Sequence, residues 1–149
     1  MTIIQATIDH LNDLIPLFDA YRIFYRQNSN PKAAQDFLYK RLTKNDTIIY
    51  IAFTDKIAVG FAQLFPSFSS VSMQPLYILN DLFVDKEFRN QGIGVALLNK
   101  AKQLCKEQNY KGLSLQTERT NPAQHLYENL GWIKDKDLFY FWANENLIL

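Results

Sequence analysis

The 149 residues predict an α+β (α/β) fold, a mixed, mostly antiparallel sheet of about seven strands with helices on both faces. Three observations predict it. Tyr77–Val84 is an apolar, β-favouring run that passes through a short turn into Arg89-Asn90-Gln91-Gly92-Ile93-Gly94, where an amphipathic helix opens. Two strand-like runs, 47–53 and 57–65, flank the tight turn Thr54-Asp55-Lys56 and read as a hairpin. Around them, period-2 and period-3.6 patterns follow the order β-α-α-β-β-β-α-β-α-β-β.

Residues 4 to 8, Ile-Gln-Ala-Thr-Ile, alternate and predict a half-buried strand. Asp9 is the expected N-cap of a helix with Leu11, Leu14, Ile15, Phe18, Tyr21 and Tyr25 on one broad face; Pro16 inside it is expected to kink or divide it. Asn28-Ser29-Asn30-Pro31 reads as a loop, and a second helix over about 32–42 buries Ala34, Phe37, Leu38 and Leu42. After the hairpin, 66–75 reads as a Ser-rich loop. The helix after Gly92 carries Ile93, Leu97, Ala101 and Leu104 on its apolar stripe, and Asn109 or Gly112 closes it. Leu113, Leu115 and Thr117 alternate as a further strand. Asn121 as cap, Pro122 at the first helical position and Gly131 past the end bracket a short helix with Ala123, Leu126, Tyr127 and Leu130 on its stripe. Trp132-Ile133-Lys134 and Leu138–Trp142 fit a final antiparallel pair. No repeat, low-complexity segment or domain boundary interrupts the chain, so one domain over residues 1–149 is expected.

Composition narrows the partners. An apolar content of 48% argues against disorder, and a net charge of +1 argues against nucleic acid as the main partner. No run approaches the ~18 apolar residues of a membrane span. Met1-Thr2-Ile3-Ile4-Gln5 lacks the basic-then-apolar pattern of a signal peptide, so a cytoplasmic chain without membrane contact is expected. Cys105 is the single cysteine; it supports neither a disulfide framework nor a thiolate cluster, and its place on the apolar edge of a helix makes it a core residue. His10 and His125 fall on helix surfaces and carry no catalytic or metal assignment; no metal is expected.

The stretch from Tyr77 to Cys105 is the one with chemistry in its pattern. A glycine-containing loop between a strand and a helix lets an anion approach bare N–H groups at the positive end of the helix dipole. The P-loop string is absent, and the dinucleotide fingerprint fails at its third glycine, which is Leu97. What remains is R-x-x-G-x-G, filled by Arg89, Gly92 and Gly94. Together with Asn80-Asp81-Leu82-Phe83-Val84 before it and Thr117, Asn121, Leu126-Tyr127-x-x-Leu130-Gly131-Trp132 after it, this motif resembles the GCN5-related N-acetyltransferases. The resemblance spans nearly the whole chain and implies that family's acyl-CoA N-acyltransferase fold, with acetyl-CoA as cosubstrate.

The resemblance also implies where the chemistry sits. The strand ending at Val84 splays from its neighbour near Leu115, and pantetheine pairs with the exposed backbone of Leu82, Phe83 and Val84. The pyrophosphate lies on the amides of Gln91, Gly92, Ile93, Gly94 and Val95, beside Asn90. Arg89 adds charge there or forms an ion pair with Asp85 or Glu87. An amine attacks the thioester directly; its ammonium, with a pKa near ~10.4, must first lose a proton, and the departing thiolate, near ~8.5, gains from a donor. Tyr127 matches the family's donor and also lies on an apolar stripe, where packing is its other role. Asn121 contacts the cosubstrate, caps its helix, or does both. Relatives acting on polyamines carry Glu where this chain has Asn80, so the base falls to Asp81, if a bulge re-aims it, to Glu118, or to water. Tyr21, Tyr25 and Phe68 are candidates for holding the amine through their ring faces.

Two other readings compete with an acetyl-CoA-dependent transferase acting on a primary amine of a small molecule or peptide. One is a non-catalytic acyl-CoA-binding regulatory module on the same fold. The other is a nucleotide-binding domain, which lacks its acidic ribose partner. Trp142 and the tail Leu147-Ile148-Leu149 are candidates for a homodimer contact or for covering the core.

Overall fold

The structure, a computed structural model, describes residues 1–147 and forms two compact units, Met1–Gln116 and Thr117–Leu149. Ile148 and Leu149, two of the tail residues considered for a dimer contact, lie outside the described residues.

The first unit is a five-stranded sheet in the order β1-β2-β3-β4-β5, with β1 Thr2–Gln5, β2 Ile48–Thr54, β3 Ile57–Ser69, β4 Gln74–Val84 and β5 Leu113–Ser114. Neighbours pair antiparallel except β4 and β5, which run parallel. Helices α1 (Leu11–Phe24) and α2 (Pro31–Lys44) cover one face and α3 (Ile93–Glu107) the other. Adjacent residues of β3 show the two faces directly: Phe61 meets the rings of Phe18 and Tyr21 on α1, while a Cβ on Gly60 would meet Ile93 and Leu97 on α3. On the α1 side the core contains Leu14, Leu17, Phe18, Ala34, Leu38, Ile49, Ile51, Phe61 and Phe83.

Several expectations are corrected. The first strand ends at Gln5, because Thr7 turns the chain by capping a 3₁₀ turn at Ile8–His10, its side chain accepting from Asp9 N while its own N–H donates to His10 Nδ1. Helix α1 runs unbroken through Pro16: both Pro16 and Asn12, whose carbonyl loses its partner there, are exposed, so water satisfies the freed group. Asn30 caps α2 with Pro31 at its first position, and buried Asp19 takes Ser29 Oγ at 2.7 Å and Asn30 N at 2.8 Å, fixing the α1–α2 connection. Those two hydrogen bonds hold the Asp19 carboxyl below its usual range.

The β3–β4 hairpin extends to Ser69 and Gln74, so most of the expected 66–75 loop is strand. Pro66 is tolerated because its ring nitrogen faces the side where β2 has already ended, its last partner being Ile48 opposite Leu64. Strand β5 stops at Ser114 rather than running to Thr117.

The second unit contains α4, Ala123–Asn129. The Asn121 side chain accepts from Ala123 N at 3.0 Å. Gly131, at φ 88°, ends the helix in a Schellman turn with Trp132 N donating to Tyr127 O and Gly131 N to Glu128 O. The expected final strand pair is not formed: residues 132–147 carry no strand, and Ile133 and Leu138 to Trp142 are exposed. The sheet therefore has five strands rather than about seven, because no ladder partner pairs with these residues.

Candidate active site

Strand β5 pairs with β4 only at Tyr77 and Ile78, which leaves the β4 edge from Leu79 to Val84 without a strand partner among the described residues. Which backbone groups face that opening follows from alternation. Asp85 N donates to Val59 O on β3 at 2.8 Å, and the Phe83 carbonyl lies against Gly60 on the same strand. Groups of the intervening residues, Leu82 and Val84, therefore point into the opening. Of the Leu82–Val84 trio expected to meet the pantetheine, Phe83 is turned toward β3 instead.

Beyond Val84, Asp85 caps a 3₁₀ turn and the chain reaches α3 through two left-handed residues, Asn90 at φ 62° and Gly92 at φ 80°. Gly92 is the N-cap of α3 and supplies no side-chain hydrogen bond to it, so the first-turn N–H groups of Ile93, Gly94 and Val95 remain for an external acceptor. A Cβ on Gly92 would meet nothing within 4 Å, so the glycine answers to its backbone conformation and to the open space above it. Arg89 turns back onto the strand end. Its Nε donates to Val84 O at 3.0 Å, and its guanidinium lies 5.7 Å from the Phe24 ring and 5.6 Å from Phe83, bracing the strand end against α1.

Asp81 reaches the opposite face from the residues just before it by a one-residue bulge. Gln63 is opposite Asp81 and Leu64 opposite Leu79, so Asn80 has no partner on β3. Before the bulge Tyr77 packs toward α3, its ring 4.8 Å from Tyr110 and its hydroxyl on Gln108. After it Phe83 packs toward α1, 6.2 Å from Tyr21. The bulge therefore aims Asp81 at α1, where it is 4% exposed. Gln63 Nε2 donates to Asp81 Oδ2, and Thr47 Oγ1 lies 3.1 Å from Gln63 Oε1. Burial pushes the Asp81 carboxyl up to about 6, with the hydrogen bonds from Gln63 and Tyr21 acting in the other direction.

The end of α1 brings Tyr21 and Tyr25 together, their ring centroids 5.0 Å apart, with Tyr21 also 5.8 Å from Phe61. Phe68 is not brought to them: it pairs with Pro75 near the hairpin tip, seven residues and about 20 Å of strand beyond Phe61, and is exposed. In the second unit Tyr127 is half-buried with its ring 5.8 Å from Trp132, Glu118 O accepts Asn121 N, and Asn121 caps α4 as above. Cys105 is buried in α3 and its thiol is pushed up by burial, in keeping with a core residue. Among the described residues no cluster of His, Cys, Asp or Glu has the make-up of a metal site, and no helix is long and apolar enough to cross a membrane. A separate depression of about 260 Å³, lined by Ile4, Tyr50, Lys100 and Glu107 among others, lies two or more turns along α3 from the cradle.

Pattern reading missed Gln63, Thr47 and Phe24. A signal existed for the first: Gln63 interrupts the apolar run of β3, and Asn80-Asp81 puts two polar residues side by side in β4, which strict alternation cannot place.

A strand end without a strand neighbour on one side thus leads through a left-handed turn to a helix start whose first N–H groups have no side-chain cap. The chain belongs to the acetyltransferase (GNAT) family, whose model matches residues 14–132. It is 43% identical over 145 residues to the uncharacterized N-acetyltransferase YhfO of Bacillus subtilis (strain 168), covering 97% of each chain. The crystal structure of a probable acetyltransferase superposes with a TM-score of 0.90 at 38% identity, over 99% of this chain and 100% of that one. The structure of AAC(6')-Iy with the bisubstrate analogue CoA-S-monomethyl-acetylneamine shares the fold, with a TM-score of 0.80 at 19% identity over 96% and 97% of the two chains. The chain is thus an N-acetyltransferase by family.

Proposed function

We propose that residues 1–149 act as one cytoplasmic N-acetyltransferase domain that moves an acetyl group from acetyl-CoA to a primary amine of a small molecule or peptide by direct attack on the thioester. The observation that carries this reading is the open β4 edge at Leu82 and Val84 running into the Asn90–Gly92 cradle. The residues present fit the carrier: bare N–H groups at Ile93, Gly94 and Val95 suit a pyrophosphate, and an unpaired strand edge suits the amides of a pantetheine arm. The CoA complex of the AAC(6')-Iy neighbour supports the same assignment.

Acetyl-CoA supplies the activated acetyl group; the chain binds, orients and moves protons. The backbone of Leu82 and Val84 orients the arm and offers an N–H where oxyanion charge develops. Asp81 is the final proton acceptor, since burial raises its carboxyl to about 6 and so brings it nearer an ammonium at ~10.4. Tyr127 returns a proton to the departing thiolate, a role that rests on the family resemblance and on its place in α4, with Asn121 beside the carrier. Tyr21 and Tyr25 line the acceptor side. Trp142, which is exposed, is assigned to a homodimer contact; Trp142→Ala should then lower the sedimentation coefficient from a dimer's to a monomer's.

The direct test is acetyl-CoA turnover over polyamines, amino acids, aminoglycosides and lysine peptides. Transfer to at least one amine supports the transferase. Binding of acetyl-CoA with no transfer to any of them is the result the regulatory-module reading requires.

A further inference from the structure

How the acceptor amine reaches Asp81 is a question the geometry both raises and answers. The carboxyl is 4% exposed, so an ammonium in the open site cannot touch it. Tyr21 is half-buried and spans the gap. Its hydroxyl donates to the Asn80 carbonyl at 3.2 Å and also hydrogen-bonds Asp81. Asn80 is the bulged residue and is exposed, whereas Asp81 next to it is buried. A phenol has one proton and two acceptor lone pairs; turned toward Asn80 it can accept a proton, and turned toward Asp81 it can give one. The ring is held by edge contacts with Phe61, Phe83 and Tyr25, which leaves the hydroxyl rotor as the moving part.

We propose that the Tyr21 hydroxyl is a proton relay between the acceptor ammonium and buried Asp81, an inference that rests on the acetyltransferase reading above. The ammonium N–H bond breaks and its proton goes to Tyr21 Oη; the original Tyr21 O–H bond breaks and that proton goes to an Asp81 oxygen. Nitrogen keeps the electron pair and becomes the nucleophile, Tyr21 is again a neutral phenol, and Asp81 is a neutral acid. After transfer the proton leaves Asp81 by the same hydroxyl to water. Gln63, itself 1% exposed, fixes the far side of the carboxylate. The groups facing Asp81 are Gln63 from β3 and Tyr21 from α1, and no charged side chain contributes to its titration.

Tyr21→Phe keeps the ring and removes the relay. Two readouts test it: the single-turnover rate with whichever panel amine the wild type acetylates fastest, and the titration of the Asp81 carboxyl followed by carbon-13 NMR in the protein alone. The relay predicts a rate at least ~10-fold lower with the KM for acetyl-CoA unchanged. It also predicts a higher Asp81 midpoint, because the lost hydrogen bond favours the ionised form. Tyr21→Phe/Asp81→Asn should be no slower than the slower single variant, as for two groups on one path. A wild-type rate in Tyr21→Phe overturns the relay even if the midpoint moves; a slower rate with an unmoved midpoint reduces Tyr21 to an acceptor contact and also overturns it. If Tyr21→Phe does not fold, Asp81→Asn alone decides, since an undiminished rate there leaves the relay nothing to serve. Wild type that acetylates no amine fails the transferase reading itself, a different result from wild type that works and a phenylalanine variant that works equally well.

Discussion

A carboxyl group that is 4% exposed and raised to about 6 costs folding stability whenever it ionises. The folded-state value lies above the unfolded one, so the penalty is absent in acid, grows as pH rises from about 3.8 through 6, and is complete above that. Asp81→Asn keeps the shape and the Gln63 contact while removing the charge. It should raise stability by up to about 3 kcal/mol at pH 7.5 and by almost nothing at pH 3.5, measured by urea melts at the two pH values. Equal effects at both would mean the carboxyl is not perturbed. Tyr127→Phe is the complementary residue test. The ring contact with Trp132 survives, while single-turnover acetyl transfer falls ~10²-fold if the phenol protonates the thiolate. Transfer at the wild-type rate would falsify that role.

At the scale of elements, one glycine and one bulge set the geometry of the strand end. A Cβ on Gly60 would lie 2.8 Å from the Phe83 carbonyl oxygen, a backbone atom that cannot swing aside, and 3.5 Å from Ile93 and Leu97. Gly60→Ala should therefore cost about 1–3 kcal/mol and push β4 outward where Leu82 and Val84 face the opening. A chemical melt gives the first number, and a weaker acetyl-CoA affinity reports the second. The strand–loop–helix from Tyr77 to Cys105 was legible because apolar runs, a glycine and a 3.6 period agree over that stretch. The bulge at Asn80 was legible only as a conditional, since register depends on the β3 partner and a single sequence shows one strand at a time. The longer hairpin was missed because Pro66 and the serines argue locally against strand, whereas pairing with β4 and the early end of β2 override them. The unformed pair over 132–142 shows the opposite error: β-favouring residues predict a strand, but a strand exists only with a ladder partner.

At the scale of the whole chain, the order of motifs was enough to place the family, which the match over residues 14–132 bears out, because each motif sits on a different element and their sequence separations are set by the fold between them. The acceptor was not legible. Tyr21 and Phe24 on α1 meet Phe83 and Arg89, far on in the sequence, only through the packing of α1 on the end of β4, so no spacing rule announces those contacts. The carrier side depends on less: a left-handed Gly92, free amides after it and an open strand before it. Differential scanning fluorimetry of wild type and Gly92→Val with and without acetyl-CoA therefore tests the account most directly. A valine at φ 80° should lower the melting temperature of the free protein by several degrees and leave it folded, since its Cβ meets nothing. Acetyl-CoA should raise the wild-type melting temperature and leave that of Gly92→Val unmoved, because the side chain fills the space the pyrophosphate needs. No shift in the wild type, or an equal shift in both proteins, would contradict it.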